Sequence, residues 1–306
     1  MDLINRTFSY ETDLDDVRKF LLEIYQLTGS LQYLIPIKIE NHKYGPCGPS
    51  YTKKDDEDIK IWEIESKKVA ISHRGSAENY HIEVHPEFKQ LEREIFLKIE
   101  DFEVKKKTKG KIKSLNIYMY TVETDELRTK TLLDLQYTNH GLHEYNYIIS
   151  NIENKIDYRI PEGFIIRNIN GESDLLSLIK VIGSVFQHCA SYMTVEKLLF
   201  MHQAEFYSPD LDLIAVAPNS EFAAFCMFRF DPLTKIAELE IIGAKQEYKN
   251  LGLEKALIYE GLYRLRKYNP KMVCAVEIDV SDELNKIISS VGFKKQTNMY
   301  IWRKVL

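Results

Sequence analysis

The second half of the chain sets apolar runs against polar breaks in a readable order. "LDLIAVA-PNSE-FAAFCMFRF-DPLT-KIAELEIIGA", residues 211–244, is three strand-length apolar runs separated by two turn signals. That is the pattern of an antiparallel meander. Ahead of it, 164–168 reads as a first strand and 172–187 as a helix opened by Glu172 and Asp174, acids suited to a helix start. A second helix spans 194–207 with Thr194 at its cap. After the meander come a helix at about 250–268, a buried strand "MVCAVEIDV" at 272–280 and a short helix at 281–290. "FKKQTNMYIWRKV" closes the chain as a hairpin turning at Asn298. The predicted order is β-α-α-β-β-β-α-β-α-β-β.

The same order runs earlier. "EFKQLEREIFL" at 87–97 lines up with "EYKNLGLEKAL" at 247–257, and "TDELRTKTLLDLQY" at 124–137 with "SDELNKIISSVGF" at 281–293. Near-constant offset in a constant order points to a duplicated domain. The expected division is 1–150, a polar linker at 151–163 broken by Pro161 and Gly163, and 164–306.

Composition narrows the partners. At 306 residues the chain has room for two cores, and a net charge of −5 gives no general affinity for nucleic acid or anionic membrane. No stretch approaches the roughly 20 apolar residues of a membrane span, and the N-terminus carries no signal-peptide pattern. Cys47, Cys189, Cys226 and Cys274 are scattered without zinc spacing, which predicts unpaired thiols in a cytoplasmic protein and no metal site. The basic run "VKKKTKGKIK" at 104–113 is expected to be a solvated loop.

The chemistry concentrates at 237–262, "AELEIIGAKQEYKNLGLEKALIYEGL": an apolar strand, a polar turn with one glycine, and an amphipathic helix. Free N–H groups and the dipole make such a helix start an anion site. With this turn after the fourth strand, the order resembles the GNAT superfamily of acetyl-CoA-dependent N-acetyltransferases. The resemblance covers 164–306 and, more weakly, 3–150, similar to the tandem GNAT arrangement of mycothiol-synthase-like enzymes. It implies an α+β (mixed α/β) fold of two tandem domains, each a mixed, mainly antiparallel twisted sheet flanked by helices. The family pattern (Arg/Gln)-x-x-Gly-x-(Gly/Ala) falls on Lys249, Asn250, Leu251, Gly252, Leu253 and Glu254. Lys249 keeps a cation and Gly252 the central glycine, while Glu254 replaces a small residue. In the first copy these positions read Lys89 to Glu94, with no glycine and two added acids, so no cofactor is expected there.

The resemblance further implies that Lys249 to Lys255 hold the pyrophosphate of acetyl-CoA, and that the backbone of Ile241, Ile242 and Gly243 pairs with the pantetheine. Glu240 or Glu238, alternate residues on one strand face, would serve as the base that deprotonates an amine. Counting back from Gly292-Phe293, the family's acid tyrosine falls on Ile288 and its asparagine on Ser281, which would touch the pantetheine or a water. His188 and His202 are candidates for the acceptor side, packing being the plainer role. The expected activity is acetyl transfer to a primary amine of a small molecule or peptide, by a monomer or homodimer. The alternative is an inactive coenzyme-A-binding or structural GNAT-fold protein.

Overall fold

The apolar runs and helical periods fold into a mixed α/β chain. A computed structural model describes residues 2–31, 33–75, 78–110, 115–153, 158–279 and 282–306. The elements in order are β1 (Ile4–Thr7), α1 (Leu14–Thr28), α2 (Pro36–Tyr44), β2 (Ile59–Ile64), β3 (Lys67–Arg74), β4 (Asn79–Val84), α3 (Glu92–Gly110), β5 (Asn116–Val122), α4 (Glu126–Asp134) and β6 (Thr138–Ile149). There follow β7 (Ile165–Asn168), α5 (Glu172–Val185), α6 (Gln187–Ala190), α7 (Val195–Met201), β8 (Asp212–Val216), β9 (Phe222–Asp231) and β10 (Ile236–Ala244). The last are α8 (Leu253–Leu265), β11 (Met272–Asp279), α9 (Asp282–Ser290) and β12 (Lys294–Val305). The helix expected at 194–207 ends early, at Met201, and Thr194 caps it by accepting from the Lys197 amide.

Contacts group these elements into two compact units. The first holds Met1–Ile35, Thr52–Asn146 and Gln296–Leu306, and the second holds Pro36–Tyr51 and Tyr147–Lys295. The segments depart from a continuous split in two places. Helix α2 from the first half packs in the second unit, and the C-terminal strand belongs to the first.

In the first unit the strand order is β1-β2-β3-β4-β5-β12-β6. Strand β4 pairs with β5 in parallel at Asn79–Tyr80, and β12 runs antiparallel to β5 from Met299↔Val122 to Val305↔Asn116. The closing hairpin expected at Asn298 is therefore corrected to one continuous strand. Asn298 is not followed by glycine, does not take a positive φ, and its amide donates to Glu123. A ladder with β5 satisfies far more backbone groups than a tight turn. The core under the sheet gathers Trp62, Ile82, Phe96, Ile117, Leu132 and Trp302. The basic stretch expected as a loop is helical in its described part, since α3 continues to Gly110. Lysine is a good helix former, and Lys105 pairs with Asp101 one turn back.

The second unit's order is β11-β10-β9-β8-β7, with β10 and β11 parallel and the rest antiparallel. Side chains alternate across β9, so Phe225, Met227 and Arg229 share one face and Phe228 takes the other. Helix α8 lies so close to the Phe228 face that only a glycine fits at Gly261, where a Cβ would overlap the ring. On the opposite face, a Cβ at Gly243 would stand 2.7 Å from Val185 of α5. Among the described residues, no helix is long and apolar enough to cross a membrane.

The cysteines depart from expectation. Cys47 and Cys189 form a disulfide with Cα atoms 4.6 Å apart, while Cys226 and Cys274 are buried free thiols. Distance in sequence hid the pair, because Cys47 travels with Pro36–Tyr51 into the second unit.

Close packing of α8 yields a stability test. Gly261→Ala should destabilise the protein by about 1–3 kcal/mol through overpacking against Phe228, read as a lower midpoint in thermal unfolding. An unchanged midpoint would mean that α8 sits off the sheet.

Candidate active site

Strand β10 is bulged and then parts from its neighbour. Its pairing with β9 shifts register between Leu239 and Ile241, so Glu240 is the extra residue. Its parallel pairing with β11 covers Ile236–Glu238 against Met272–Cys274 and extends no further among the described residues. Past that point Ile241, Ile242, Gly243 and Ala244 keep β9 on one side. The edge facing β11 is left with main-chain groups suited to an extended amide ligand.

The parted strand runs straight into the turn. Gln246–Tyr248 makes a short 3-10 turn, after which Asn250 (φ 67°) and Gly252 (φ 79°) both take left-handed backbone. Gly252 has nothing within 4 Å of where a Cβ would stand, so backbone can be approached closely there. It is the N-cap of α8 and offers no side-chain cap. The Ala256 amide reaches the Gly252 carbonyl, and the amides of Leu253 to Lys255 find no main-chain acceptor among the described residues. Lys249 pairs with Glu283 of α9 at 3.3 Å. Glu254 is buried rather than directed at solvent, and burial raises its carboxyl toward the neutral form, its own amide lowering it and Glu283 raising it further. The added acid is thus less of an obstacle to a bound anion than its formal charge suggests.

Glu238 and Glu240 meet on the ammonium of Lys38. Lys38 Nζ lies 3.0 Å from Glu238 Oε1 and 3.3 Å from Glu240 Oε2, and Asn41 Nδ2 donates to Glu240 Oε1 at 2.9 Å. Glu238 is fully buried, whereas 19% of the Glu240 side chain is exposed. Both Lys38 and Asn41 come from α2, one helical turn apart, so they share a face. The helix is docked by Glu40, whose carboxylate accepts from the Glu205 and Phe206 amides. Beside them Arg229 and Asp212 form a buried ion pair. His202 stacks on Tyr207 with centroids 4.2 Å apart, and burial lowers its imidazole. Sequence reasoning missed Lys38 and Asn41. The only local sign was polar residues three apart in "PIKIENHKY", an otherwise ordinary surface pattern.

The remaining expected residues scatter. Ser281 lies outside the described residues. Ile288 is completely buried and carries no proton to give. A phenol does reach α9, however: Tyr147 OH donates to Asn285 at 2.7 Å. His188 lies beside Cys189 rather than the glutamates.

The first unit carries the same parting in filled form. Beyond Tyr80 the pairing of β4 with β5 stops, and Arg128 of α4 enters the gap. Its guanidinium donates to the Ile82 carbonyl at 2.9 Å, to the Tyr120 carbonyl at 3.4 Å and to Glu92 at 2.8 Å, with the Tyr33 ring 3.5 Å beneath. Glu92 stands at the repeat position of Gly252, and Arg128 at that of Asn285. Lys89, the counterpart of Lys249, pairs with Glu92 and Asp125 at 2.7 Å. Burial pushes the Asp125 carboxyl up, but Arg128 and Lys89 outweigh it and hold it at about 2. Internal charges thus occupy both the parted strands and the turn.

No protein-family model matches the chain, and no curated protein matches it in sequence. Solved structures do. A GCN5-related N-acetyltransferase from Sphaerobacter thermophilus aligns over 99% of this chain and 95% of its own, with TM-score 0.69 and 14% identity. A GNAT-family acetyltransferase from Colwellia psychrerythraea aligns over 98% and 99%, with TM-score 0.62 and 11% identity. The fold is therefore that of GNAT N-acetyltransferases. Its arrangement is the tandem one: a tandem GNAT protein from the clavulanic acid biosynthesis pathway aligns over 99% of this chain and 98% of its own, with TM-score 0.68 and 10% identity.

The filled gap has its own test. Arg128→Leu should cost on the order of 3 kcal/mol, because it strips the buried Glu92 of its main counter-charge, seen in urea unfolding. Asp125 titrates lower in the folded chain than its unfolded value of about 3.9. Its stabilisation, about 2–3 kcal/mol, is present above pH about 4 and fades as pH falls through about 2. Asp125→Asn should flatten that acid limb, and an unaltered limb would remove Asp125 from the network.

Proposed function

We propose that the second unit binds acetyl-CoA and transfers its acetyl group to a primary amine of a small molecule or peptide, acting in the cytoplasm. One observation carries the reading: β10 parts from β11 at a bulge bearing Glu240 and leads directly into a left-handed turn at a helix start without a side-chain cap. Those residues fit the cofactor. Main-chain groups of Ile241–Gly243 suit an amide-bearing arm, and the Gly252 backbone with the Leu253–Lys255 amides and Lys249 suits a diphosphate. When bound, acetyl-CoA supplies an activated acyl thioester.

The chain's own residues supply the rest. Glu240 takes the proton from the acceptor ammonium, being the more accessible of the two acids. Lys38 and Asn41 fix one oxygen each, so the carboxylate meets the amine in one orientation. Fully buried Glu238 anchors Lys38. Ile288, at the family's acid position, has no proton to offer a leaving thiolate, and a thiol pKa of about 8.5 would let it leave without one. The first unit, its gap closed by Arg128, is structural in this reading. A second reading, a coenzyme-A-binding or structural protein without turnover, is favoured by Ile288 and by the hold of Glu283 on Lys249.

Titration calorimetry tests the site. Acetyl-CoA should bind with micromolar affinity, and Gly252→Glu should abolish binding. Glu283→Gln should tighten it by releasing Lys249. Glu240→Gln should leave binding intact and lower kcat by about 10²–10⁴-fold with any accepted amine. No binding by the parent chain would end the acetyltransferase reading, and unchanged turnover in Glu240→Gln would remove that residue as the base.

A further inference from the structure

The segment that grips Glu240 is tied down by a single covalent bond. Helix α2 has 9 residues, and helices shorter than about 12 residues do not persist by themselves. In the second unit this segment is held through Lys38 and Asn41 on the glutamates, Glu40 on the Glu205 and Phe206 amides, and Tyr44 against Phe200. Lys197 bonds the Gly48 carbonyl. Gly45 turns the chain at the end of α2, its amide on the Asn41 carbonyl at 2.7 Å, and two residues later Cys47 bonds Cys189. Cys189 lies in α6, immediately after α5, whose Val185 packs against Gly243.

We propose that Cys47 and Cys189 are a reversible thiol–disulfide site for small thiols and disulfides of the glutathione class, and that its state sets how firmly 36–51 holds Glu240. The surroundings suit exchange. Cys189 is buried and Cys47 half-buried, so an incoming thiolate attacks the Cys47 sulfur. The S–S bond breaks and Cys189 leaves as a thiolate, with His188 Nε2 3.3 Å from its sulfur to pair with it or return a proton. A second small thiol then attacks the mixed disulfide, releasing Cys47 and one oxidised small disulfide. Two thiols are oxidised for each protein bond reduced. No other partner competes, because burial pushes the Cys226 and Cys274 thiols up and keeps them inert. The pair is thereby made and unmade with the local thiol balance.

The consequence for Glu240 rests on the acetyl-transfer reading, whereas the bond and its hold on 36–51 do not. The full chain is equilibrated in glutathione buffers from fully reduced to fully oxidised. Alkylation in denaturant with intact-mass measurement then counts free thiols, and hydrogen exchange follows amides 36–51. Two thiols should disappear on oxidation, and reduction should speed exchange of the α2 amides at least tenfold. Cys47→Ser should exchange at the reduced rate in every buffer, and Cys226→Ser should behave as the parent. Four alkylated thiols in all buffers, or a disulfide that forms without changing exchange in 36–51, would overturn the proposal. Redox-dependent exchange in a chain that transfers no acetyl group would leave the switch standing and remove only the acetyl-transfer reading.

Discussion

Parallel strands that part within a sheet leave main-chain groups facing a gap, and unsatisfied buried N–H and C=O groups are costly. Everything at the candidate site follows from how that gap is met. The first unit meets it from within: Arg128 reaches the Ile82 and Tyr120 carbonyls on opposite sides and takes Glu92 as its counter-ion. In the second unit the repeat-equivalent of Arg128 is Asn285, whose shorter side chain is engaged by Tyr147. No arginine crosses the second gap among the described residues.

The two turns show the same exchange in charge. Glu92 puts a carboxylate where the second unit has Gly252, so the first turn carries an anion at its cap position and the second has no side-chain cap there. A lysine stands at the start of both. Lys89 is drawn into Glu92 and Asp125, which are almost buried, whereas Lys249 pairs with Glu283, which is more than half exposed. An exposed pair is worth at most about 1 kcal/mol and opens readily. A buried network does not. The duplicated sequence therefore builds two different turns, one filled by a buried charge network and one carrying a weak surface pair, through a few substitutions.

Much of this was legible in the chain itself. The meander, the cap at Thr194 and the turn ahead of α8 are local patterns, set by side-chain period and by the few residues that tolerate a helix start or left-handed backbone. The sheet bulge at Glu240 was not legible. A bulge depends on the register of a partner strand. Nor was the crossing of α2 and β12 between units. "PIKIENHKY" and "TNMYIWRKV" have amphipathic periods that say they are half-buried but not against what, because period encodes a face and long-range packing chooses the neighbour. The Cys47–Cys189 pair was hidden for the same reason. Two thiols 142 residues apart become neighbours only once Pro36–Tyr51 joins the second unit.

That crossing gives the candidate base its character. A glutamate on a strand is ordinarily a solvated acid, free to rotate and weakly placed for proton transfer. Glu240 instead has one oxygen on Lys38 and the other on Asn41, both presented by α2, while Glu238 balances the lysine from a fully buried position. Removing Lys38 alone would leave Glu238 buried without this partner, a heavier loss than that of a surface ion pair. The arrangement is stable only with all its members in place, which makes the docking of a nine-residue helix a condition for placing the carboxylate. A carboxylate positioned by a separately tethered segment can be tuned at the tether without altering the strand that carries it.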